Sequence, residues 1–185
     1  MRRLDDEQKW IKRIKRRQSK RDADLLVHRY YDEIYVFVYR QTGSKEDAMD
    51  LTQEIFISML QSLLHYDPSK SSFRTWLYRV ATNKVIDQRR RYRPAAICID
   101  DIESAAEVSF IQQIESRTIL EQIDRFVSAK DMTTEQIFRL RLYRDMSFPE
   151  IAEVLAIPEA TAKTRYHRLL QEIRKEFGNE YYNAE

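Results

Sequence analysis

Glycine is almost missing from this chain: Gly43 and Gly178 are the two in 185 residues. A glycine-rich phosphate loop or a dinucleotide fingerprint needs several glycines close together, so both are excluded. The tight turns of β-hairpins favour positive φ, so an all-β fold rich in such turns is not expected on the same ground. Cysteine is single, Cys98, which rules out an internal disulfide and any multi-cysteine zinc site. No stretch approaches the ~18 apolar residues of a membrane span. The first residues lack the apolar core of a secretory signal. The expectation is a cytoplasmic chain without membrane insertion.

What is present is charge and helix-forming residues. Hydrophobic residues make up 43% and charged residues 34%, with 32 basic and 30 acidic groups. Low Gly and Pro beside abundant Glu, Lys, Arg, Leu and Ile points to an all-α protein. The net charge of +2 hides strong blocks. Residues 1–21 carry +7, 22–65 carry −5, 66–94 carry +6, 95–130 carry −4 and the remainder −2. Basic blocks suit phosphates and acidic ones suit basic protein surfaces. Solvated helix faces are the plainer reading of the same blocks.

Apolar periodicity divides the chain into two helical domains. In residues 1–94 a short helix over 5–17 carries Trp10, Ile11 and Ile14. A buried helix over 24–40 carries Leu26, Tyr30, Ile34, Phe37 and Val38, and Gly43 ends it. Ser44 caps the next helix, which buries Ala48, Leu51, Ile55, Met59 and Leu63 and stops before Asp67-Pro68. Ser72 caps a third strong helix, from Phe73 to about Arg91, with Phe73, Trp76, Leu77, Val80, Ala81 and Val85 inward. Pro94 ends the domain. Residues 95–109 are acidic (Asp100, Asp101, Glu103, Glu107) and weakly periodic, as a linker should be. In the second domain, 110–185, one helix carries Ile111, Ile114, Ile119, Ile123 and Val127. Thr133 and Gln136 have the spacing of a capping box for the next, with Ile137, Phe138, Leu140 and Leu142. Ser147 and Glu150 form another, with Pro149 in the first turn.

Residues 147–177 read as helix, tight turn, helix. The first helix turns Ile151, Ala152, Val154 and Leu155 inward, and the turn is Ala156-Ile157-Pro158. The second has an inward stripe of Ala162, Tyr166, Leu169, Ile173 and Phe177. Its other face gathers Thr161, Lys163, Thr164, Arg165, His167 and Arg168. A helix-turn-helix inserts the first turns of its second helix into the major groove, where hydroxyls, lysine and arginine reach base edges and phosphates. An ordinary helical hairpin with a charged outer face fits the same pattern. In the first domain, Gln88-Arg89-Arg90-Arg91-Tyr92-Arg93 follows Asn83, Lys84 and Asp87. Polar and aromatic groups beside cations suit unpaired or distorted nucleic acid. The competing role is a basic helix end that balances the dipole, and four arginines exceed that need.

Catalytic chemistry finds little support. His28 and Asp32 stand at i, i+4 without a third ligand, so a surface contact is favoured over a metal site. Cys98 has no evident base nearby. Tyr30, Tyr31, Tyr35 and Tyr39 are assigned to the core. No metal, cofactor or catalytic residue is expected, and a metal-dependent hydrolase lacks its ligands.

Three segments together resemble bacterial sigma factors of the extracytoplasmic-function type: EDAMDLTQEIF (46–56), SFRTWLYRVATNKVIDQRRR (72–91) and SFPEIAEVLAIPEATAKTRYHR (147–168). Their order and spacing also fit, over roughly residues 8–178. The resemblance implies that residues 1–94 bind RNA polymerase core enzyme and the downstream promoter element. Asp50, Gln53 and Glu54 would meet the polymerase, and Asn83, Lys84, Asp87, Arg90 and Arg91 the DNA. The loop Asp67–Ser72 would receive a flipped base. The acidic linker would thread the polymerase cleft. Residues 110–185 would read the upstream element through Thr161, Lys163, Thr164, Arg165, His167 and Arg168. An anti-sigma factor is an expected partner. The sequence departs from the family where glycine is frequent, with Asp145, Ala156 and Ala160 instead, where Ala162 replaces a larger apolar residue, and where Ser128-Ala129-Lys130 replaces a Leu-Pro motif. The alternative reading is a free-standing helix-turn-helix regulator binding duplex DNA as a dimer.

Overall fold

The computed structural model describes residues 2–91 and 110–178, with side chains described for 6–91 and 119–178. The acidic stretch 95–109, Cys98, Pro94, Tyr92 and Arg93 lie outside the described residues, as do the side chains of Ile111 and Ile114. All regular structure among the described residues is helical. The chain divides into two compact units, Met1–Ile97 and Cys98–Glu185.

The first unit contains α1 (Arg2–Arg17), α2 (Lys20–Thr42), α3 (Lys45–Ser62), a 3-10 turn (Leu63–His65) and α4 (Phe73–Arg91). The second helix packs against the other three. It starts earlier than its periodicity implies, because Ser19 accepts from Asp22 N at 3.4 Å and extends it by a turn. Gly43 ends it at φ 69°, donating to Tyr39 O at 2.9 Å. Ser44 caps α3 through Asp47 N at 3.2 Å. Leu26, Ile34, Val38, Ala48, Ile55, Met59, Leu77 and Ala81 are fully buried where the helices meet. Truncating one of the larger ones to alanine costs about 2–5 kcal/mol. On α4, Trp76 and Val80 are only half-buried, while Thr75, Tyr78 and Thr82 are enclosed. Tyr78 lies inside because its hydroxyl donates to Glu33 Oε1 at 2.9 Å, which also takes Arg74 at 2.6 Å.

The basic N-terminal block is part of this unit. Arg13 pairs with buried Asp22 at 2.7 Å. Tyr30 donates to buried Glu7, and Arg29 stands 3.5 Å from the same carboxylate. Burial, then the Glu7 bond, push the Tyr30 phenol well above its ordinary range. Lys15 donates to Tyr66 O and lies over the Tyr66 ring. Tyr39 is buried like Tyr30. Tyr31 and Tyr35 instead form a half-exposed stack, with Tyr31 also against Phe56.

The second unit contains α5 (Phe110–Ser128), α6 (Met132–Arg144), α7 (Phe148–Leu155) and α8 (Glu159–Phe177). Its core joins Val127, Phe138 and Leu169, with Ile123, Phe126, Tyr166, Leu170 and Ile173 packed around them. Two sequence expectations for α6 fail. The capping box at Thr133 and Gln136 does not form: Asp131 is the cap, accepting from Thr134 N at 3.2 Å and Thr134 Oγ1 at 2.7 Å. An ionised aspartate takes two bonds there and complements the dipole, so it outcompetes Thr133. Leu142 is exposed, while Glu135, Gln136 and Arg139 are enclosed beside the expected Ile137, Phe138 and Leu140. Arg139 is enclosed because Glu135 at 2.8 Å and Ser128 at 3.1 Å satisfy it.

Candidate nucleic-acid interface

The helix-turn-helix is held by two left-handed turns. Asp145 ends α6 at φ 51°, and Arg141 closes that turn by donating to Met146 O at 2.9 Å. Ser147 and Glu150 then form the expected reciprocal capping box on α7. Ala156 ends α7 at φ 53°, with Ile157 N bonded to Ala152 O at 3.0 Å. The backbone therefore adopts at Asp145 and Ala156 the conformation that glycine accepts most readily, and at Ala156 a Cβ pays for it. Pro158 starts α8 without a side-chain cap. Free N–H groups and the positive end of the dipole face outward there, a setting that suits phosphate.

Ala162 is fully buried against the rest of the unit, so the smaller residue lets α8 approach closely. Leu169 is buried and Tyr166 half-buried on the same side. Opposite them, Lys163, Thr164, His167 and Arg168 are exposed, and Thr161 and Arg165 are partly so. Arg168 has 81% of its side chain accessible, against 52% for Lys163 and 42% for Arg165. The six residues singled out from sequence therefore share the accessible side of one helix. Thr164 Oγ1 already donates to Ala160 O at 2.8 Å, which leaves it acceptor capacity and a methyl group for a base edge. His167 stands beside the rings of Phe148 and Tyr166.

Acidic partners of this face are absent from the sequence reading. Lys163 Nζ meets Glu159 Oε1 at 2.6 Å. Arg165 Nη1 donates to Asp131 Oδ1 at 2.7 Å and to Thr134 Oγ1 at 3.0 Å. Arg168 Nε reaches Glu172 Oε1 at 3.3 Å, while Lys130 holds Glu172 Oε2 at 2.7 Å. The Lys130 bond, followed by Arg168, keeps the Glu172 carboxyl below its ordinary range. Burial raises Asp131, but bonds from Thr134 and Arg165 outweigh it and leave the carboxyl lowered. The two pairs within α8 have i, i+4 spacing and were legible in the sequence. Asp131 lies 34 positions from Arg165, and no local pattern announces it.

In the first unit, Asp50, Gln53 and Glu54 are all exposed on α3, opposite buried Leu51, Ile55 and Met59. The apolar residues Met49 and Ile57 are exposed on the same helix, 47% and 55%, outside the inward stripe that apolar spacing marks. On α4, Asn83, Asp87, Arg90 and Arg91 are exposed and Lys84 is half-buried. Lys84 Nζ lies 3.8 Å from Glu54 Oε2, which brings the two predicted surfaces together. Arg89 turns back to Gln41 O at 3.0 Å and ties α4 to the end of α2. Arg90 and Arg91 have no carboxylate partner among the described residues. The loop before α4 is shaped by its own side chains. Asp67 Oδ1 accepts from Ser69 N at 3.0 Å and Ser69 Oγ at 2.8 Å, and these bonds lower its pKa. Tyr66 donates to Ser71 O at 3.0 Å, and Ser72 Oγ accepts from Thr75 N at 3.0 Å.

The described residues contain no group of three or more His, Cys, Asp or Glu arranged to hold a metal ion, and no described helix is long and apolar enough to cross a membrane. His28 and Asp32 are exposed on α2.

Residues 26–94 match the family model "Sigma-70 region 2", and residues 133–173 match "Sigma-70, region 4". The ECF RNA polymerase sigma factor SigW of Bacillus subtilis is 34% identical over 180 residues, covering 91% of this chain and 95% of the relative. The RNA polymerase sigma factor YlaC of the same organism is 31% identical, covering 88% and 94%. The RNA polymerase sigma-H factor of Pseudomonas aeruginosa is 28% identical, covering 92% and 93%. A solved structure, CnrH in complex with the cytosolic domain of CnrY, shares the fold with a TM-score of 0.68 at 20% identity, over 94% of this chain and 98% of that one.

Proposed function

The chain belongs to the extracytoplasmic-function sigma factors, and from that premise we propose how its two units divide the work of initiation. The protein binds RNA polymerase core enzyme, directs it to specific promoters and promotes transcription initiation. The first unit carries polymerase binding and the downstream element, and the second the upstream element. One observation carries this division best: two separate cationic surfaces, the basic end of α4 and the accessible face of α8, stand on units that match region 2 and region 4.

On α3, Asp50, Gln53 and Glu54 dock on the polymerase, with an acidic edge suited to a basic partner. On α4, Asn83 offers a polar contact to an extruded base, and Lys84, Arg90 and Arg91 hold phosphates of the opened strand. Asp87 sits among them as an acceptor for a base amino group. The loop from Asp67 to Ser72 frames the flipped base, and its internal hydrogen bonds hold it in shape beforehand, which lowers the cost of ordering on binding. On α8, Thr161, Lys163, Thr164, Arg165, His167 and Arg168 meet the major groove. The acidic residues 95–109 thread the polymerase cleft. The polymerase performs the chemistry, and the sigma factor contributes no catalytic residue or cofactor. It works in the cytoplasm, and an anti-sigma factor holds it until a signal arrives.

The test is reconstitution. Start sites mapped after overexpression identify a promoter, and purified core enzyme is then assayed on that template with and without the protein. Specific transcripts that require both components are expected. Tight, specific operator binding by the chain alone, with no association with core enzyme, would instead identify a free-standing regulator.

A further inference from the structure

We propose that Asp131, Glu159 and Glu172 act as built-in competitors for the phosphate-binding cations of α8, so that they set how tightly and how salt-dependently the second unit binds duplex DNA. This rests on the reading of α8 as the DNA-facing helix. Lys163, Arg165 and Arg168 are each engaged by a carboxylate of the same unit, at 2.6, 2.7 and 3.3 Å. These acids are not equivalent. Asp131 is fixed at the start of α6 by two bonds from Thr134, so Arg165 meets an anion already in place. Glu172 is shared between Arg168 and Lys130, which anchors it to the end of α5. Glu159 lies in the first turn of α8, where the dipole favours a negative charge, and where an incoming phosphate would be favoured too.

A phosphate reaching these cations must exchange with a carboxylate or share the cation with it. In the first case the released carboxylate faces the DNA backbone and repels it. In the second the cation's charge is already largely balanced. Either way, the helix gains less from each phosphate than its cations suggest. The basic end of α4 is organised differently, since Arg90 and Arg91 have no such partner among the described residues. Arg90 and Arg91 stay open at the end of α4, whereas Lys163, Arg165 and Arg168 on α8 are closed. A helix with closed cations binds DNA weakly on its own and engages it when something else holds it at high effective concentration. In a holoenzyme, the polymerase would do so. The acids therefore keep the free chain off bulk DNA.

The experiment measures binding of the full chain to a fluorescein-labelled duplex of mixed sequence across a salt series. Glu159→Gln, Glu172→Gln and Asp131→Asn remove charge with little change in shape, and Asn still caps α6. Each should tighten binding by about two- to five-fold at low salt, the range that exposed ion pairs support. The slope of log affinity against log salt should steepen by up to about one for each acid removed. Asp24→Asn, an exposed acid on α2, makes the same change in net charge and should have little effect. Lys163→Ala with Arg168→Ala should weaken binding. Thermal melts confirm that each variant is folded. Tightening confined to the three acids of the second unit supports the proposal. Unchanged or weaker binding by those variants, or an equal gain from Asp24→Asn, overturns it; if Lys163→Ala with Arg168→Ala still weakens binding, the DNA-facing assignment of α8 stands. If that double variant also binds as the wild type does, both the proposal and the assignment fall.

Discussion

Lys84 Nζ on α4 lies 3.8 Å from Glu54 Oε2 on α3, so the proposed polymerase surface and the proposed promoter surface share an ion pair. Both side chains are partly exposed, at 35% and 60%, so the pair adds at most about 1 kcal/mol to stability. Its consequence is functional: a change at Glu54 also frees Lys84, and effects on polymerase and DNA become mixed.

Asp50 avoids that mixing because it is exposed and has no ion-pair partner among the described residues. Asp50→Lys should weaken holoenzyme assembly without lowering the melting temperature, and Glu54→Lys added to it should weaken assembly further. Lys84→Met should leave core binding intact while reducing promoter affinity. Native gel or fluorescence titration with core enzyme separates these outcomes. Assembly by the double variant at wild-type affinity would remove α3 from the interface.

The upstream helix predicts two different kinds of loss. Arg168→Ala and Lys163→Ala should together sharply reduce transcription from the promoter. If either cation reads a base, its loss costs about 1–3 kcal/mol at one promoter position; if it holds a phosphate, binding weakens alike for all sequences. Ala162→Glu should unfold the second unit instead, because it places a charge at a fully buried site. A panel of promoter point variants distinguishes the first two, and circular dichroism reports the third.

Strand opening should depend on Asn83, which is exposed on α4. Asn83→Ala should leave polymerase binding and duplex promoter binding nearly intact but slow the appearance of permanganate-reactive thymines. Normal opening, or a defect that appears only with loss of polymerase binding, would count against a direct contact.

Ala156 holds a left-handed conformation at φ 53° in the turn between α7 and α8. Relief of the Cβ clash is partly offset by the larger backbone entropy of glycine in the unfolded chain. Ala156→Gly should therefore stabilise the second unit by about 0.5–1 kcal/mol, as the Cβ penalty for this conformation is about 1–2 kcal/mol. Denaturant melts monitored in the second unit check it, and a lowered midpoint would be the opposite result.

Glu135 and Arg139 form an enclosed pair on α6, each about 1% exposed. Glu135→Ala should cost about 3–5 kcal/mol by leaving Arg139 without its main counter-charge, whereas Glu135→Leu with Arg139→Met should be close to neutral. Equal losses from the single and double replacements would show that packing, not charge, governs the site.

The helices themselves were largely legible. Buried positions on α2 and α3 follow apolar spacing, and Ser44 and the Ser147–Glu150 box mark helix starts through bonds spanning three residues. Asp145 and Ala156 stand at turns where the family often places glycine, and both adopt positive φ. Legibility fails where a distant residue decides. Arg139 is enclosed because Ser128 and Asp124, on the preceding helix, join the i, i+4 partner Glu135 in satisfying the guanidinium, a relation that apolar spacing cannot express. Residues 1–21 read as a basic block with a short helix and no assigned role, and Arg13, Lys15 and Glu7 attach that helix to α2 and to Tyr66.

By itself the sequence determined the all-helical character, the cationic outer face of α8 and the family motifs, since these depend on local periodicity, capping and residue type. The tertiary structure decided how those cations are engaged. Arg165 looks open in sequence, but folding brings Asp131, 34 positions away, to 2.7 Å from it. Charge along a chain is additive, whereas the electrostatic environment of a side chain depends on distance and burial, and only the packed helices set those.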